Sequence, residues 1–395
     1  MRALAVTLTL LLLPIAPAGA QSGSPGIPAD IFPRPGGPFT VGVRDELWID
    51  STRGEPYTRD RADRRHLMVQ IWYPASAPAG AARAPYVTRP DQFANPAEFA
   101  PVLHVRTNSV ADAPLAAGAD AFPVLIYNHG GAWSRFTGTF TAEELASHGY
   151  VVVSVEHPGF NKTIGFPDGY RMIQDTLQLP AEDTTDKLGS TRRIYDYLNT
   201  EVFPVWVADA RFVLDRLEIM ARTGSPWRGR LDLARVGALG WSMGGAVGVE
   251  LTIVDPRVKA AVDQDGQLWG TARGAGSSRP VILMHSTTDH AAEAPEADRP
   301  AIRELVREQA RWDSLFIARS AGPVYELQLA GADHGHFSDL QLFYPTPAGK
   351  LDPRRGHTII NAYTLAFFDR YLKGLEAPIV EAPPLYPEVT IVRSR

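Results

Sequence analysis

Hydrophobic residues along this chain occur in short unbroken runs, separated by segments in which they recur at helical spacing. Phe122 to Tyr127 and Tyr150 to Val155 are unbroken runs without polar alternation. Such runs are typical of parallel strands that helices cover on both faces. Val205 to Met220 carries its apolar residues near helical spacing instead, which predicts a helix between two strands.

The same criteria predict further elements along the chain. The additional strands are Thr40–Ile49, His66–Tyr73, Arg235–Leu239, Val258–Val262, Val281–Met284 and Val324–Leu329. The additional helices are Thr141–Ser147, Ala246–Ile253, Pro300–Ile317 and Thr358–Leu372. Strands that alternate with helices predict an α/β protein with a mostly parallel central sheet and helices on both faces. No internal repeat interrupts this order, and we expect residues 39–395 to form a single domain.

The amino terminus has the pattern of an export signal. Arg2 gives it a positive start, Ala3 to Ile15 is apolar, and Ala18-Gly19-Ala20 is an A-x-A cleavage site,. We therefore expect a signal peptide over residues 1–20 and a mature chain that begins near Gln21, in the periplasm or outside the cell. An uncleaved membrane anchor is the alternative, although the apolar run is short for a bilayer span. Residues 21–38, rich in Pro, Gly and Ser, predict a disordered lead-in.

Composition narrows the functional classes. The chain has 395 residues, a formal net charge of −5 and no basic run, so nothing points to nucleic acid as a partner. It has no cysteine, which excludes disulfides, thiolate metal sites, a cysteine nucleophile and lipid attachment through a cysteine.

The segment Gly240-Trp241-Ser242-Met243-Gly244-Gly245 is the strongest indicator of chemistry. It matches G-x-S-x-G, the nucleophile elbow of serine hydrolases of the α/β-hydrolase fold. A strand is predicted before it and a helix after it, as the elbow requires. In a glycine-rich chain the bare pattern also occurs by chance as a plain turn, but the flanking elements favour Ser242 as a nucleophile.

A serine nucleophile needs a histidine base and an acid that orients the histidine, and in this fold they follow in the order Ser, acid, His. The histidines after Ser242 are His285, His290, His334, His336 and His357. His334 is the best candidate because small residues around it allow a loop to bend over the elbow after a predicted strand. His336 is its rival, and a metal site built from Asp333 and His336 lacks a third clear ligand.

Two aspartates compete for the acid. Asp265 follows the strand Val258–Val262, and Asp289 follows the strand Val281–Met284. Both lie where strands end, which is where the active sites of open α/β sheets are found, so spacing alone does not separate them. Asp263 is a weaker third, because its side chain is expected to enter the flank of the sheet.

The oxyanion hole needs two backbone N–H groups. Met243, directly after the nucleophile, supplies one. The turn Asn128-His129-Gly130-Gly131-Ala132 directly follows a buried strand and is the candidate for the other, against an ordinary glycine turn.

With these residues, the chain resembles the platelet-activating-factor acetylhydrolases of the plasma and bacterial type, within the α/β hydrolases. The resemblance covers about Phe122 to Asp339, and His66 to Pro74 more weakly. Its further motifs are His129-Gly130-Gly131, Leu145-Ala146-Ser147-His148-Gly149, Val155-Glu156-His157, the elbow, and a Gly-x-x-His-x-x-Phe-x-Asp stretch at Gly331 to Asp339. The resemblance implies His334 as the base, Asp265 as the acid and Gly131 as the second oxyanion donor.

The chain also departs from this family. Mammalian members carry a tryptophan close after the aspartate, whereas here Trp269 comes later. The elbow is similar to that of bacterial cutinases and polyester hydrolases as well, in which the acid follows the next strand; that likeness favours Asp289. Those enzymes usually carry disulfides, and this chain has no cysteine.

The resemblance and the residues together imply an exported serine esterase for short-acyl carboxylic esters, with the 2-acetyl group of a platelet-activating-factor-like phospholipid as one substrate. No cofactor or metal is expected. Trp133, Phe136, Phe160 and Trp269 are candidates for an apolar pocket or for plain core. The alternatives are a cutinase-like polyester hydrolase and a non-catalytic α/β-hydrolase domain used for binding; oligomeric state is left open.

Overall fold

The structure is a computed structural model that describes residues 26–394, apart from 119–120, 162, 173–175, 182, 184, 294, 345, 347–348 and 382. The predicted signal peptide lies outside the described residues. Within them, no helix is both long enough and apolar enough to cross a bilayer.

The described chain forms eleven strands and seven α-helices. The strands are β1 (Thr40–Gly54), β2 (Arg64–Ala75), β3 (Arg83–Pro85), β4 (Arg106–Ala111), β5 (Phe122–Asn128), β6 (Val151–Val155), β7 (Leu231–Trp241), β8 (Val258–Gln264), β9 (Val281–Ser286), β10 (Val324–Leu329) and β11 (Val389–Arg393). The helices are α1 (Thr139–Ser147), α2 (Lys187–Tyr197), α3 (Phe203–Arg222), α4 (Met243–Val254), α5 (His290–Glu293), α6 (Arg299–Arg319) and α7 (Pro353–Lys373).

All eleven strands belong to one sheet, in the order β11-β10-β9-β8-β7-β5-β6-β2-β1-β4-β3. The six central strands, from β10 to β6, run parallel to one another. β11 and β2 are antiparallel to their inner neighbours at the two borders of this block. Since the carboxyl ends of parallel strands share one edge, the segments after β5, β7, β8, β9 and β10 meet there.

Helices cover both faces of the parallel block. On one face α1 and α7 pack against alternate strand residues such as Leu125, Leu239 and Val262. On the other face α3 and α4 cover the intervening positions, including Ile126 and Ala238, and α6 extends this layer over β8 and β9. The apolar strand runs are therefore buried from both sides, which confirms the predicted α/β class with a mostly parallel sheet.

The prediction of a disordered lead-in does not fit its described part, residues 26–38. Ile31 and Phe32 are buried in the core beside α1. The Gly37 N–H donates to Oγ of Ser147 at 3.0 Å. The Pro and Gly content of this segment predicted disorder. Two buried side chains and a few hydrogen bonds are nevertheless enough to fix an irregular segment.

Candidate active site

Ser242 lies in the sharp turn between β7 and α4. Its backbone has φ 59° and ψ −128°, a conformation that is costly for any residue with a Cβ and that persists only where the surroundings enforce it. A Cβ built at Gly244 would lie 2.1 Å from the backbone oxygen of Asn128, and one at Gly240 would lie 2.4 Å from the same atom. The glycines therefore let the end of β5 pack directly against this turn.

His334 and Asp265 meet at the carboxyl edge of the sheet. Nδ1 of His334 is 2.7 Å from Oδ2 of Asp265, and both side chains are mostly buried. The other carboxylate oxygen of Asp265 accepts the Ser286 N–H at 2.6 Å. Asp265 itself has φ 58°, and its N–H donates to the Met284 carbonyl at 2.8 Å. The carboxylate is thus held in one orientation by the ends of β8 and β9.

These contacts also set the charge of the acid. Burial by itself raises the pKa of Asp265, but the hydrogen bond and charge of His334, together with the Ser286 N–H, outweigh it and lower the pKa. The carboxylate therefore stays ionised at neutral pH. An ionised acceptor at Nδ1 keeps the proton of a neutral imidazole on Nδ1 and leaves Nε2 as the basic atom.

The ring of His334 lies beside the elbow. The indole Nε1–H of Trp241, the residue before Ser242, donates to the His334 carbonyl at 2.9 Å, and the two rings are 5.0 Å apart at their centroids. Nε2 of His334 is buried and has no hydrogen-bond partner among the described residues. Catalytic hydrogen bonds are often long before substrate binds, so the lack of a partner at Nε2 is compatible with a role for His334 as a base.

The competing candidates lie elsewhere. Asp289 is exposed, and its carboxylate accepts the N–H groups of Ala291 and Ala292 at the start of α5. His336 is fully buried, with Nδ1 2.9 Å from Asp333 and Nε2 2.8 Å from the Leu351 carbonyl. Both ring nitrogens of His336 are therefore engaged by protein oxygens.

Two further candidates are also placed, and a third is not. Asp263 is buried in the flank of the sheet, as expected, and accepts the Gly266 N–H at 2.8 Å. His357 lies inside α7, where its ring stacks on Phe140 at 3.8 Å. The side chain of His290 is outside the described part of the structure. Among the described residues, no group of three or more His, Asp or Glu side chains could hold a metal ion.

The glycine turn after β5 lies against the elbow. A Cβ built at Gly131 would lie 3.8 Å from Cε of Met243, so the two residues expected to supply the oxyanion donors are neighbours. A Cβ at Gly130 would come within 2.6 Å of the Trp241 ring. Ala132 has φ 60°, and the Trp133 N–H closes the turn onto the Gly130 carbonyl at 3.2 Å.

The four apolar candidates separate into two groups. Trp269 is fully buried between Tyr195 and Phe203, and Phe136 belongs to an aromatic core cluster with Phe93; both are core. Two other candidates lie near the elbow: the ring of Phe160 would be 3.2 Å from a Cβ at Gly131, and Trp133 is 6.1 Å from Trp241 at the ring centroids.

Two polar residues support the site, although the sequence analysis assigned a role to neither. Asp339 accepts the N–H groups of Thr139 and Phe140 at 2.9 and 3.0 Å, and so ties the segment after His334 to the first turn of α1. Asp209 lies on the buried face of α3, among apolar residues. A carboxylate at a predicted core position of a helix is the signal that could have drawn attention to it.

Comparison with known proteins places this geometry in context. Residues 28–162 match the family model of platelet-activating factor acetylhydrolase, isoform II. A fungal protein from Arthroderma benhamiae, named as a probable 1-alkyl-2-acetylglycerophosphocholine esterase, is 24% identical over 298 residues. That match covers 68% of this chain and 66% of the fungal protein, just under two thirds of its length.

A solved structure is similar over more of the chain. The ferulic acid esterase from Streptomyces cinnamoneus superposes with a TM-score of 0.69 at 28% identity, covering 92% of this chain and 100% of that one. This chain has the α/β-hydrolase fold. The predicted resemblance to the platelet-activating factor acetylhydrolases is confirmed, and so is the predicted class, a carboxylic ester hydrolase, since both named relatives are esterases.

Proposed function

We propose that this α/β hydrolase is an exported serine esterase that cleaves short-acyl carboxylic esters with Ser242, His334 and Asp265. The observation that carries the proposal is the strained Ser242 turn beside a histidine whose Nδ1 is bonded to a buried aspartate at 2.7 Å. A backbone that costs free energy at a nucleophile position indicates function, because a plain turn would not need it.

The reaction follows from the roles of these groups. Oγ of Ser242 attacks the ester carbonyl carbon while Nε2 of His334 takes the hydroxyl proton. The C–O bond to the alcohol then breaks, and the proton on His334 leaves with the alcohol. Water, deprotonated in turn by His334, attacks the acyl-enzyme, releases the acid and regenerates Ser242.

Asp265 and the backbone support both steps. The Asp265 carboxylate orients His334 and stabilises the imidazolium that forms in each half-reaction. The N–H groups of Met243 and Gly131 are assigned to the oxyanion of the tetrahedral intermediates. No step in this scheme uses a cofactor.

A small acyl group fits the packing around the nucleophile. Ser242 and its neighbour Met243 are 3% and 1% exposed, and Phe160, whose ring lies against Gly131, is 8% exposed. The acetyl group of a platelet-activating-factor-like phospholipid is small enough for this close packing, in keeping with the name of the fungal relative. The likeness to a ferulic acid esterase over 92% of the chain favours a second candidate, a phenolic acyl ester, and a cutinase-like polyester hydrolase is the third.

The test of the chemistry is Ser242→Ala assayed with p-nitrophenyl acetate, beside Ser314→Ala as an exposed serine control on α6. The proposal predicts loss of turnover in the first variant and normal turnover in the second. A fluorophosphonate should add one mass equivalent to the wild type and none to Ser242→Ala. Hydrolysis that survives Ser242→Ala, or a wild type that is silent toward esters and fluorophosphonate, would contradict it; the silent wild type would favour a binding domain.

The substrate class and the export are tested separately. An acetylated phospholipid, methyl ferulate and a polyester film, each at matched enzyme concentration, discriminate the three candidates by initial rate. Export predicts that the protein recovered outside the cytoplasm begins near Gln21, so an intact Met1 on that protein would contradict it.

A further inference from the structure

A second histidine–aspartate pair lies next to the glycine turn and takes no part in the reaction above. Nδ1 of His157 is 3.1 Å from Oδ2 of Asp209, and both side chains are fully buried. Asp209 comes from α3, and His157 comes from the segment directly after β6. Buried ionisable groups cost free energy unless they are paired, so the partners of this pair indicate what it holds in place.

Arg65 of β2 holds the carboxylate of this pair. It is fully buried, and its guanidinium binds Asp209 through two hydrogen bonds of 3.0 and 2.7 Å. Burial alone raises the pKa of Asp209, but the charge of Arg65 and the hydrogen bonds from His157 and Arg65 lower it far below its usual range. A third Arg65 nitrogen donates to the Pro158 carbonyl at 3.0 Å. The segment 157–158 is therefore held both through the ring of His157 and through its backbone.

This fixed segment sets the tautomer of His129. The backbone N–H of His157 donates to Nε2 of His129 at 3.1 Å, so Nε2 carries no proton. Nδ1 of His129 lies 2.7 Å from the Gly130 carbonyl, which can only accept, so Nδ1 carries the proton and donates. Burial in the core lowers the pKa of His129 to about 4, which keeps this neutral form at neutral pH.

The hydrogen bond to Gly130 has a consequence for the next residue. In a trans peptide the carbonyl of one residue and the N–H of the following residue point in opposite directions, and the described chain contains no cis peptide. A fixed Gly130 carbonyl therefore fixes the direction of the Gly131 N–H. The Trp133 N–H holds the same carbonyl from the other side of the turn.

We propose that His129 is a positioning residue for the oxyanion hole: it holds the Gly130 carbonyl so that the Gly131 N–H faces the reacting carbonyl, and the His157–Asp209 pair holds His129. This rests on the proposed function, in which Gly131 supplies an oxyanion donor. The four elements involved, β2, the end of β5, the end of β6 and α3, do not contribute to the triad. The oxyanion donor and the catalytic base are therefore oriented by different elements of the fold.

Two substitutions at one position test the proposal. His129→Asn retains an N–H donor near the place of Nδ1, whereas His129→Gln has its amide at the place of Nε2 and has no donor toward Gly130. With p-nitrophenyl acetate, His129→Gln should lose about 10²–10³-fold in kcat with KM within about threefold, because a misplaced oxyanion donor acts on the transition state. His129→Asn should recover most of that loss.

His66→Gln is the matched control. Nδ1 of His66 is also 2.7 Å from a backbone carbonyl, that of Arg64, and the ring is largely buried, but this carbonyl is not in the glycine turn. The His66→Gln variant should therefore keep kcat within about threefold of the wild-type value. A folded His129→Gln with wild-type kcat, or one in which only KM changes, would overturn the positioning role. A wild-type protein that hydrolyses no ester would instead overturn the proposed function.

The tautomer gives a test that needs no variant. In the wild-type protein labelled with ¹⁵N-histidine and with its ring signals assigned residue by residue, His129 should be a neutral imidazole with its proton on Nδ1, the less common form in water. His157, whose Nδ1 lies 3.1 Å from Oδ2 of Asp209, can give a signal of the same kind, so the assignment to His129 decides the test. That form of His129 at pH 7 supports the proposal even if the variants fail to fold, and an Nε2-protonated or cationic His129 would show that the proposal is wrong.

Discussion

Nδ1 of His334 lies 2.7 Å from Oδ2 of Asp265, although the two residues are 69 positions apart in the chain. They meet because β8 and β10 flank β9 in one parallel block, so the segments after them lie at the same edge. The Ser286 N–H at the end of β9 holds the same carboxylate. This arrangement supports an acid supplied after β8, as the resemblance to the acetylhydrolases implies, over one supplied after β9.

Gly244→Ala should disrupt the elbow. The new Cβ would lie 2.1 Å from the Asn128 carbonyl oxygen and 2.5 Å from the His129 carbonyl oxygen, and neither backbone atom can move without shifting the glycine turn. We expect the free energy of unfolding, measured by urea denaturation, to fall by about 1–3 kcal/mol or more. We also expect a large loss of kcat. Gly248→Ala in the same helix is the control.

That control should behave differently because its nearest neighbour, the Ala238 carbonyl carbon, would be at 3.5 Å. A Cβ there makes an ordinary contact, and alanine favours the helix by about 1 kcal/mol over glycine. Gly248→Ala should therefore keep its activity and its stability. Equal losses in the two variants would mean that close packing at Gly244 is not what shapes the elbow.

Phe160→Ala should widen the range of acyl groups. The Phe160 ring closes the space beside Gly131, so its removal should favour longer chains. We expect the ratio of kcat/KM for p-nitrophenyl octanoate to that for the acetate to rise at least about tenfold, in line with the usual worth of a few methylene groups in an apolar pocket.

Phe136→Ala provides the comparison for loss of a buried ring, because Phe136 packs in the aromatic cluster with Phe93 and Phe99. It should lower stability and leave the acyl-length profile as it is. A Phe160→Ala enzyme with the wild-type profile would show that the acyl group is accommodated elsewhere.

His357 should make the fold sensitive to acid. Burial disfavours its imidazolium and lowers the pKa to about 3 from an unfolded value of 6.5, although the Ser338 carbonyl acts in the opposite direction. Because the unfolded chain binds the proton first, stability should fall as the pH drops from about 6.5 toward 3, by up to about 1.4 kcal/mol per pH unit.

His357→Gln cannot titrate, so its free energy of unfolding should fall less steeply between pH 6 and pH 4, even if it is lower at pH 7 from lost stacking on Phe140. Urea denaturation at several pH values measures both slopes. Identical slopes in the variant and the wild type would show that His357 does not carry this acid sensitivity.

The central strands could be predicted because their residues are apolar on both faces. Val324–Leu329 has the predicted bounds, and Phe122–Asn128 differs by one residue. The last strand, Val389–Arg393, was missed: it is an edge strand with exposed side chains, so its sequence has no buried run to reveal it. The start of α7 at Pro353, rather than Thr358, was missed because Asp352 caps it ahead of the apolar pattern.

The site divides in a similar way. Motifs and strand ends in the sequence mark Ser242 and His334 as candidates for the nucleophile and the base. The spacing of the sequence does not choose between Asp265 and Asp289, because both follow strands and only the direction of each carboxylate separates them. The link from Arg65 through Asp209 and His157 to His129 joins residues that are far apart in the chain, and spacing within one sequence carries no record of such contacts.

The identity of the triad acid is tested most directly by comparing kcat of Asp265→Asn with that of Asp289→Asn on p-nitrophenyl acetate. Asn at 265 would favour the wrong tautomer of His334, so kcat should fall by about 10³–10⁴-fold. Asn at 289 can still accept the Ala291 and Ala292 N–H groups, so kcat should stay within about twofold. The reverse result, a collapse of Asp289→Asn with Asp265→Asn near normal, would contradict the triad proposed for this enzyme.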